Sequence, residues 1–198
     1  MRRIGICALL LLWLLSALPG VAWADGEIEL ASEAAILMDA GTGQILYAKN
    51  ARERLYPASI TKVMTGLLAL EVLDAGQMLT VSQETVNQVP RTSSHISLQP
   101  GEELTVADAM YALAISSAND AANVLAEGVS GSIEAFAQRM NERSAELGAL
   151  DTHFVNPNGL PNSEHYTTAY DMALITAEAL KNPDFLLYFG SGAYEMPA

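Results

Sequence analysis

Thiols are almost missing from this chain. Its one cysteine, Cys7, lies among the first residues, which excludes a disulfide framework and a cysteine-based metal site from everything that follows. Positive charge is scarce as well. Ten lysines and arginines stand against 23 aspartates and glutamates, a formal net charge of −13. Such an acidic balance argues against nucleic acid as a partner and against docking on anionic lipid. The histidines are few and scattered. His95 and His153 have no companions at metal-ligand spacing, and the acidic residues show no calcium-loop pattern. No repeat, low-complexity tract or Pro/Gly/Ser-rich linker divides the chain, so it reads as one domain long enough to bury a real core.

What is present begins with an apolar run. Arg2 and Arg3 precede residues 4–15, which are almost wholly apolar, and Ala22-Trp23-Ala24 then supplies small residues where a signal peptidase reads them. Residues 1–24 are expected to be a secretory signal peptide, the apolar run being too short for a membrane span. Cys7 sits at the start of that run, the wrong end for a lipoprotein signal. Cleavage removes two arginines and no acid, which takes the formal charge from −13 to −15.

Residues 34–39 and 44–49 read as two strands joined by the turn signal Gly41-Thr42-Gly43. After Pro57-Ala58, residues 59–73 carry a helical pattern. Val63, Met64, Leu67, Leu68, Leu70, Val72 and Leu73 make it apolar over most of its circumference, so it belongs inside a domain. Residues 79–104 read as short strands and loops. Thr105 with Asp108 predicts a capping box opening a helix to about residue 115. Residues 116–120 interrupt it, Asp120 is expected to cap a helix to about 129, and Ser132 one to about 147. Asn156-Pro157-Asn158-Gly159-Leu160-Pro161 is a loop by its turn residues. Thr168 caps a last helix, which Asn182-Pro183 ends. A lone two-stranded hairpin is marginal; further strands are needed to complete a sheet, and none is evident up to Ala198.

Two short motifs carry the chemistry. In Ser59-Ile60-Thr61-Lys62, a helix beginning at Ser59 puts Lys62 on the same face, within reach of the hydroxyl. The helix start favours negative charge at Ser59. Apolar surroundings lower the lysine pKa, and a neutral lysine can take the serine proton. By itself Ser-x-x-Lys is equally consistent with a helix cap followed by a surface lysine. That alternative fits poorly with a cation in the first turn of so apolar a helix. Ser117-Ala118-Asn119 falls at a break between helices. There a serine can pass a proton and an asparagine can bond a substrate amide through both donor and acceptor, although capping chemistry accounts for the same residues.

Together these stretches resemble the penicillin-recognising serine enzymes, whose pattern is Ser-x-x-Lys, Ser-x-Asn and Lys-Thr-Gly. Met38-Asp39-Ala40-Gly41-Thr42-Gly43-Gln44-Ile45-Leu46-Tyr47 is similar to their opening hairpin, and Pro57-Ala58-Ser59-Ile60-Thr61-Lys62-Val63-Met64-Thr65 to the nucleophile helix of the low-molecular-mass D-alanyl-D-alanine carboxypeptidases. Ile115-Ser116-Ser117-Ala118-Asn119-Asp120-Ala121-Ala122 resembles the second motif, and Asn156-Pro157-Asn158-Gly159-Leu160 the loop after it.

The resemblance implies an α+β, β-lactamase/transpeptidase-like fold. Residues 25–198 would be an incomplete catalytic domain, an N-terminal hairpin plus a mostly helical subdomain. It implies Ser59 as acylated nucleophile, Lys62 as general base, Ser117 as proton relay and Asn119 as substrate-binding residue, with the Ser59 N–H as half of an oxyanion hole. The substrate would be the peptidoglycan stem peptide ending in D-Ala-D-Ala, and β-lactam antibiotics would be inhibitors. No metal or organic cofactor is implied. The location would be the extracytoplasmic envelope, with membrane anchoring only through a C-terminal segment absent from this sequence.

The chain departs from the pattern at one point. Lys49 and Lys181 are followed by Asn and Lys62 by Val, so Lys-Thr-Gly is not present. The family places it on a strand lining the cleft, shortly beyond where this sequence stops. The expectation is therefore a fragment whose 198 residues alone would fold poorly and be inactive. His165 lies near a position where the family often has a histidine bordering the cleft; it reads either that way or as a solvated loop histidine, and it is not counted as catalytic. Two alternatives remain. A class A β-lactamase has Ser-Asp-Asn where this chain has Ser117-Ala118-Asn119, and needs a deacylating glutamate that Glu164 does not match in its surroundings. A non-catalytic envelope-bound binding protein would have no need to keep Ser59, Lys62, Ser117 and Asn119 together.

Overall fold

The computed structural model describes residues 30–196; the expected signal peptide lies outside the described residues. All the elements below belong to the compact unit that begins at Ser32. Strands β1 (Ala35–Met38) and β2 (Ile45–Lys49) pair antiparallel, with Ala35 opposite Lys49 and an irregularity at Leu37/Met38. Their turn is held by the Asp39 carboxylate, which accepts from the Thr42 N–H at 2.7 Å, while Gly43 takes φ +72°, a conformation glycine reaches without a Cβ penalty.

The apolar helix α1 (Lys62–Val72) sits between two cores, as its all-round hydrophobicity requires. Ala69 and Leu73 pack with Leu79, Val106, Met110, Leu113 and Leu125. Met64, Leu67 and Leu68 pack with Phe136, Met140, Phe154, Met172 and Ile175. Each such large side chain contributes about 2 kcal/mol by leaving water. Gly66 lets a neighbour come close: a Cβ there would lie 2.8 Å from the Phe189 ring.

Around α1 stand α3 (Val106–Ile115), α4 (Asn119–Ser130), α5 (Ile133–Glu146) and α6 (Ala169–Ala179). Before α3 come β3 (Met78–Thr80), the short α2 (Gln83–Asn87) and β4 (Glu103–Thr105). The capping box forms as its spacing dictates, Thr105 accepting from the Asp108 N–H at 3.0 Å and Asp108 from the Thr105 N–H at 3.1 Å.

The structure departs from the sequence reading in four places. Residues 79–104, read as short strands and loops, border on two short strands, β3 and β4, which pair antiparallel into a second ribbon separate from the first, but they also hold the helix α2, at five residues too short for a helical period to stand out. Asn182-Pro183 ends α6 and also opens α7 (Pro183–Phe189), with Asn182 as cap and proline at the first positions. Ser59 is not the first residue of the long helix but lies in a 3-10 turn, Ala58–Thr61, that runs into α1 at Lys62. Ala58 there has φ +47°, outside the right-handed helical region. Asp120 is not the N-cap. Ala118 holds that place, helix α4 begins at Asn119, and the buried Asp120 carboxylate accepts from the Ala121 N–H of the first turn (3.0 Å) and from the N–H groups of Ile96 (3.2 Å) and Leu98 (3.1 Å). A carboxylate removed from water needs donors, and that extended segment has them to give. No helix among the described residues is long and apolar enough to cross a membrane.

Candidate active site

Lys62 is the hub. It opens α1 and is only 2% exposed, with no acidic residue in the first turn. Its Nζ lies 3.3 Å from Ser59 Oγ, 2.7 Å from Asn119 Oδ1 and 2.8 Å from the Asn158 carbonyl oxygen. Burial disfavours its charged form and pulls the pKa down to about 8. The contact set also orients it. The Asn119 and Asn158 oxygens can only accept, so together they take both N–H bonds of a neutral amine and leave its lone pair facing Ser59 Oγ. Ser59 itself is exposed.

The loop of residues 156–161 completes the hub, and it is a well-pinned loop. Asn156 Oδ1 accepts from the N–H groups of Asn158 (3.3 Å) and Gly159 (2.7 Å), and Asn156 Nδ2 donates to the Leu160 carbonyl at 3.0 Å. Thr65 Oγ1, one turn along α1 from Lys62, donates to the Pro157 carbonyl. Gly159 has φ +85°, and a Cβ on it would stand 1.9 Å from the Ala58 carbonyl oxygen. Only glycine lets this loop lie against the turn that carries Ser59. Beside that turn a cavity of about 470 Å³ opens, lined by Tyr56, Pro57, Leu160, Pro161 and His165 among others.

The second motif is brought to the same place in part. Asn119 is 5% exposed and its side chain reaches Lys62, while its N–H is tied to the Ser94 carbonyl at 2.9 Å. Ser117 lies at the break between α3 and α4 with φ +51°, a left-handed backbone that is costly for a serine and is found where the surroundings over-determine it. No side-chain hydrogen bond joins Ser117 to Ser59 or Lys62. Among the described residues no three His, Cys, Asp or Glu side chains converge as a metal site.

His165, open from the sequence between a solvated loop residue and one bordering the cleft, is 2% exposed and lines the cavity beside the Ser59 turn. Its Nδ1 accepts from the Val155 N–H at 3.1 Å, so the ring proton sits on Nε2 and is donated to Thr61 Oγ1 at 2.8 Å. Burial, helped by His153, pushes its pKa down to about 4. The ring thereby links the 156–165 loop region to the residue beside Lys62. Sequence reasoning also missed the role of the Asn158 backbone. The density of Asn, Pro and Gly announces a shaped loop there but not which side chain its carbonyl will meet.

The family pattern described as D-alanyl-D-alanine carboxypeptidase matches residues 21–190. The chain is 42% identical over 208 aligned positions to the D-alanyl-D-alanine carboxypeptidase DacF of Bacillus subtilis, an alignment covering 98% of this chain and 51% of that protein. It is 40% identical to DacC of Escherichia coli over 71% of this chain and 37% of that one. The chain thus spans about half the length, or less, of these relatives. Among solved structures, the carboxypeptidase DacD of Francisella tularensis superposes with a TM-score of 0.80 at 33% identity, over 88% of this chain and 43% of that one. A D-alanyl-D-alanine carboxypeptidase from Mycobacterium tuberculosis gives 0.79 at 27% identity, over 88% and 66%. The fold is therefore the α+β transpeptidase-like one of the low-molecular-mass penicillin-binding proteins, and the chain belongs to the D-alanyl-D-alanine carboxypeptidase family of serine peptidases.

Proposed function

We propose that the protein is a serine D-alanyl-D-alanine carboxypeptidase that removes the terminal D-alanine of peptidoglycan stem peptides through an acyl-enzyme on Ser59. One observation carries this reading: a buried Lys62, its pKa lowered to about 8, has both N–H bonds engaged by Asn119 and Asn158 and its remaining valence directed at Ser59 Oγ. The neutral amine takes the Ser59 proton as Oγ attacks the carbonyl of the penultimate D-alanine. The resulting oxyanion is met by the Ser59 N–H. Collapse breaks the peptide bond, and D-alanine departs with a proton passed through Ser117. Water then hydrolyses the ester and restores Ser59. Asn119 holds the substrate amide beside Lys62. β-Lactams acylate the same hydroxyl, and an exported, envelope location follows from the substrate and from the apolar segment of residues 1–24.

These 198 residues hold one oxyanion donor but not the Lys-Thr-Gly strand that the family uses for the second. The test uses the product of the complete reading frame. It is incubated with benzylpenicillin and read by intact mass, then assayed for D-alanine release from a stem-peptide mimic. The expected result is a covalent adduct and D-alanine release, both abolished by Ser59→Ala. An adduct that survives Ser59→Ala removes the nucleophile assignment. An adduct without any D-alanine release favours a non-catalytic penicillin-recognising protein.

A further inference from the structure

Helix α4 sends two asparagines, one turn apart, to the same side. Residues i and i+4 share a helix face. Asn119 bonds Lys62 Nζ directly. Asn123, 1% exposed, accepts from Asn158 Nδ2 at 2.9 Å through its Oδ1 and donates through Nδ2 to the Thr85 carbonyl at 3.3 Å. Asn158 is the residue whose carbonyl oxygen is the other acceptor for Lys62. The four residues close a ring: Lys62 to Asn119, along one turn of α4 to Asn123, across to Asn158 and back to Lys62.

The ring has a chemical consequence. Asn158 is 3% exposed and its side chain is held at both ends, Nδ2 on Asn123 and Oδ1 by the Leu160 N–H at 3.0 Å. With the side chain so held, the backbone carbonyl has one direction, toward Lys62 Nζ. Two buried asparagines facing each other are a costly way to fill space, since apolar side chains pack there with no polar atoms to satisfy. A polar pair does what an apolar pair cannot: it sets an orientation.

We propose that Asn123 is a positioning residue, acting through Asn158, that holds the loop carbonyl on Lys62 and so directs the lysine lone pair at Ser59. The inference rests on the acyl-transfer reading above, and it names a residue lying outside the motifs that identify the family. Asn123→Asp keeps the acceptor for Asn158 Nδ2 and gives up the donor to the Thr85 carbonyl. Asn123→Leu removes it at nearly constant volume.

The test measures two quantities on the product of the complete reading frame: the rate constant for acylation by benzylpenicillin per folded molecule, and the titration of Lys62 followed by its ¹³Cε resonance. Asn123→Leu is expected to lower the plateau acylation rate about tenfold through lost orientation of the base, and to lower the Lys62 pKa below the parent's because an acceptor that favours the ammonium form is gone. In an Asn158→Ala background, where the pinned side chain is already absent, Asn123→Leu should change neither quantity further. Asn123→Asp should keep the plateau within about threefold of the parent. The proposal is overturned if Asn123→Leu alters thermal stability alone, if its effect adds in full to that of Asn158→Ala, or if Asn123→Asp is as slow as Asn123→Leu. If the parent protein does not acylate at all, the acyl-transfer reading fails, and the Lys62 titration still decides whether Asn123 acts on the lysine.

Discussion

Acidification should destabilise this chain through one buried ring. His165 is 2% exposed, accepts from the Val155 N–H at Nδ1 and donates from Nε2 to Thr61 Oγ1. A second proton on Nδ1 would face the Val155 N–H in a site almost closed to solvent. Burial first, and His153 second, lower the pKa from 6.5 to about 4. The sign follows directly. Between those two values the unfolded chain binds a proton that the folded chain refuses. The contribution is therefore whole above the unfolded value and is lost as the pH falls through the folded one. A shift of this size, at 1.36 kcal/mol for each pH unit, amounts to about 3 kcal/mol between neutral pH and about pH 4. A domain's whole stability is about 5–15 kcal/mol, so the loss is readily measured. Urea unfolding followed by far-UV circular dichroism, repeated across that range, would give the parent's stability profile. His165→Gln cannot titrate, so the carboxylates that ionise in the same window cancel when its profile is subtracted. The parent should lose about 3 kcal/mol more than the variant. Equal losses in the two proteins would refute the reasoning.

Acylation should follow the Lys62 titration: with the pKa near 8 and the neutral amine reactive, the rate climbs about tenfold per pH unit below that value and levels off above it. A profile flat from about pH 6 to 8 would remove Lys62 as the base. Gly159→Ala places a methyl group against the Ala58 carbonyl at φ +85° and should cost at least about 2 kcal/mol. It should also suppress acylation by pushing aside the turn that carries Ser59; a folded variant labelled at the parent's rate would contradict this. Asp120→Asn trades an acceptor for a donor opposite the Ile96 and Leu98 N–H groups and should cost about 2 kcal/mol. Amide exchange at residues 96 and 98 should then quicken ahead of that in α4, and unchanged exchange would show that another contact holds the segment.

Features legible in the sequence share one property, that their partners lie within about four residues. The Thr105–Asp108 capping box, the hairpin turn held by Asp39 and Thr42, the reach of Lys62 to Ser59 and the Thr168 cap each follow from short-range geometry. The all-round apolar face of residues 62–72 likewise announces a central helix. Where a side chain has competing partners, short-range rules mislead. Asp120 looked like a cap because caps are the local use of aspartate, yet two distant backbone donors claimed it. Ser59 looked like a helix start because helical periodicity runs back to it. That periodicity does not register the left-handed Ala58, which is held against the Gly159 loop.

Ser59, Lys62 and the helix that carries the lysine can be read from one continuous stretch, because its pattern and spacing are enough. Packing alone sets the use of the lysine. Its acceptors come from Asn119 and Asn158, 57 and 96 residues away, and the ring that braces the neighbouring Thr61 from 104 residues away. No periodicity encodes such pairings. They exist because α1 is buried between two cores, so that every polar group at its buried start must find a partner among whatever segments the packing brings there.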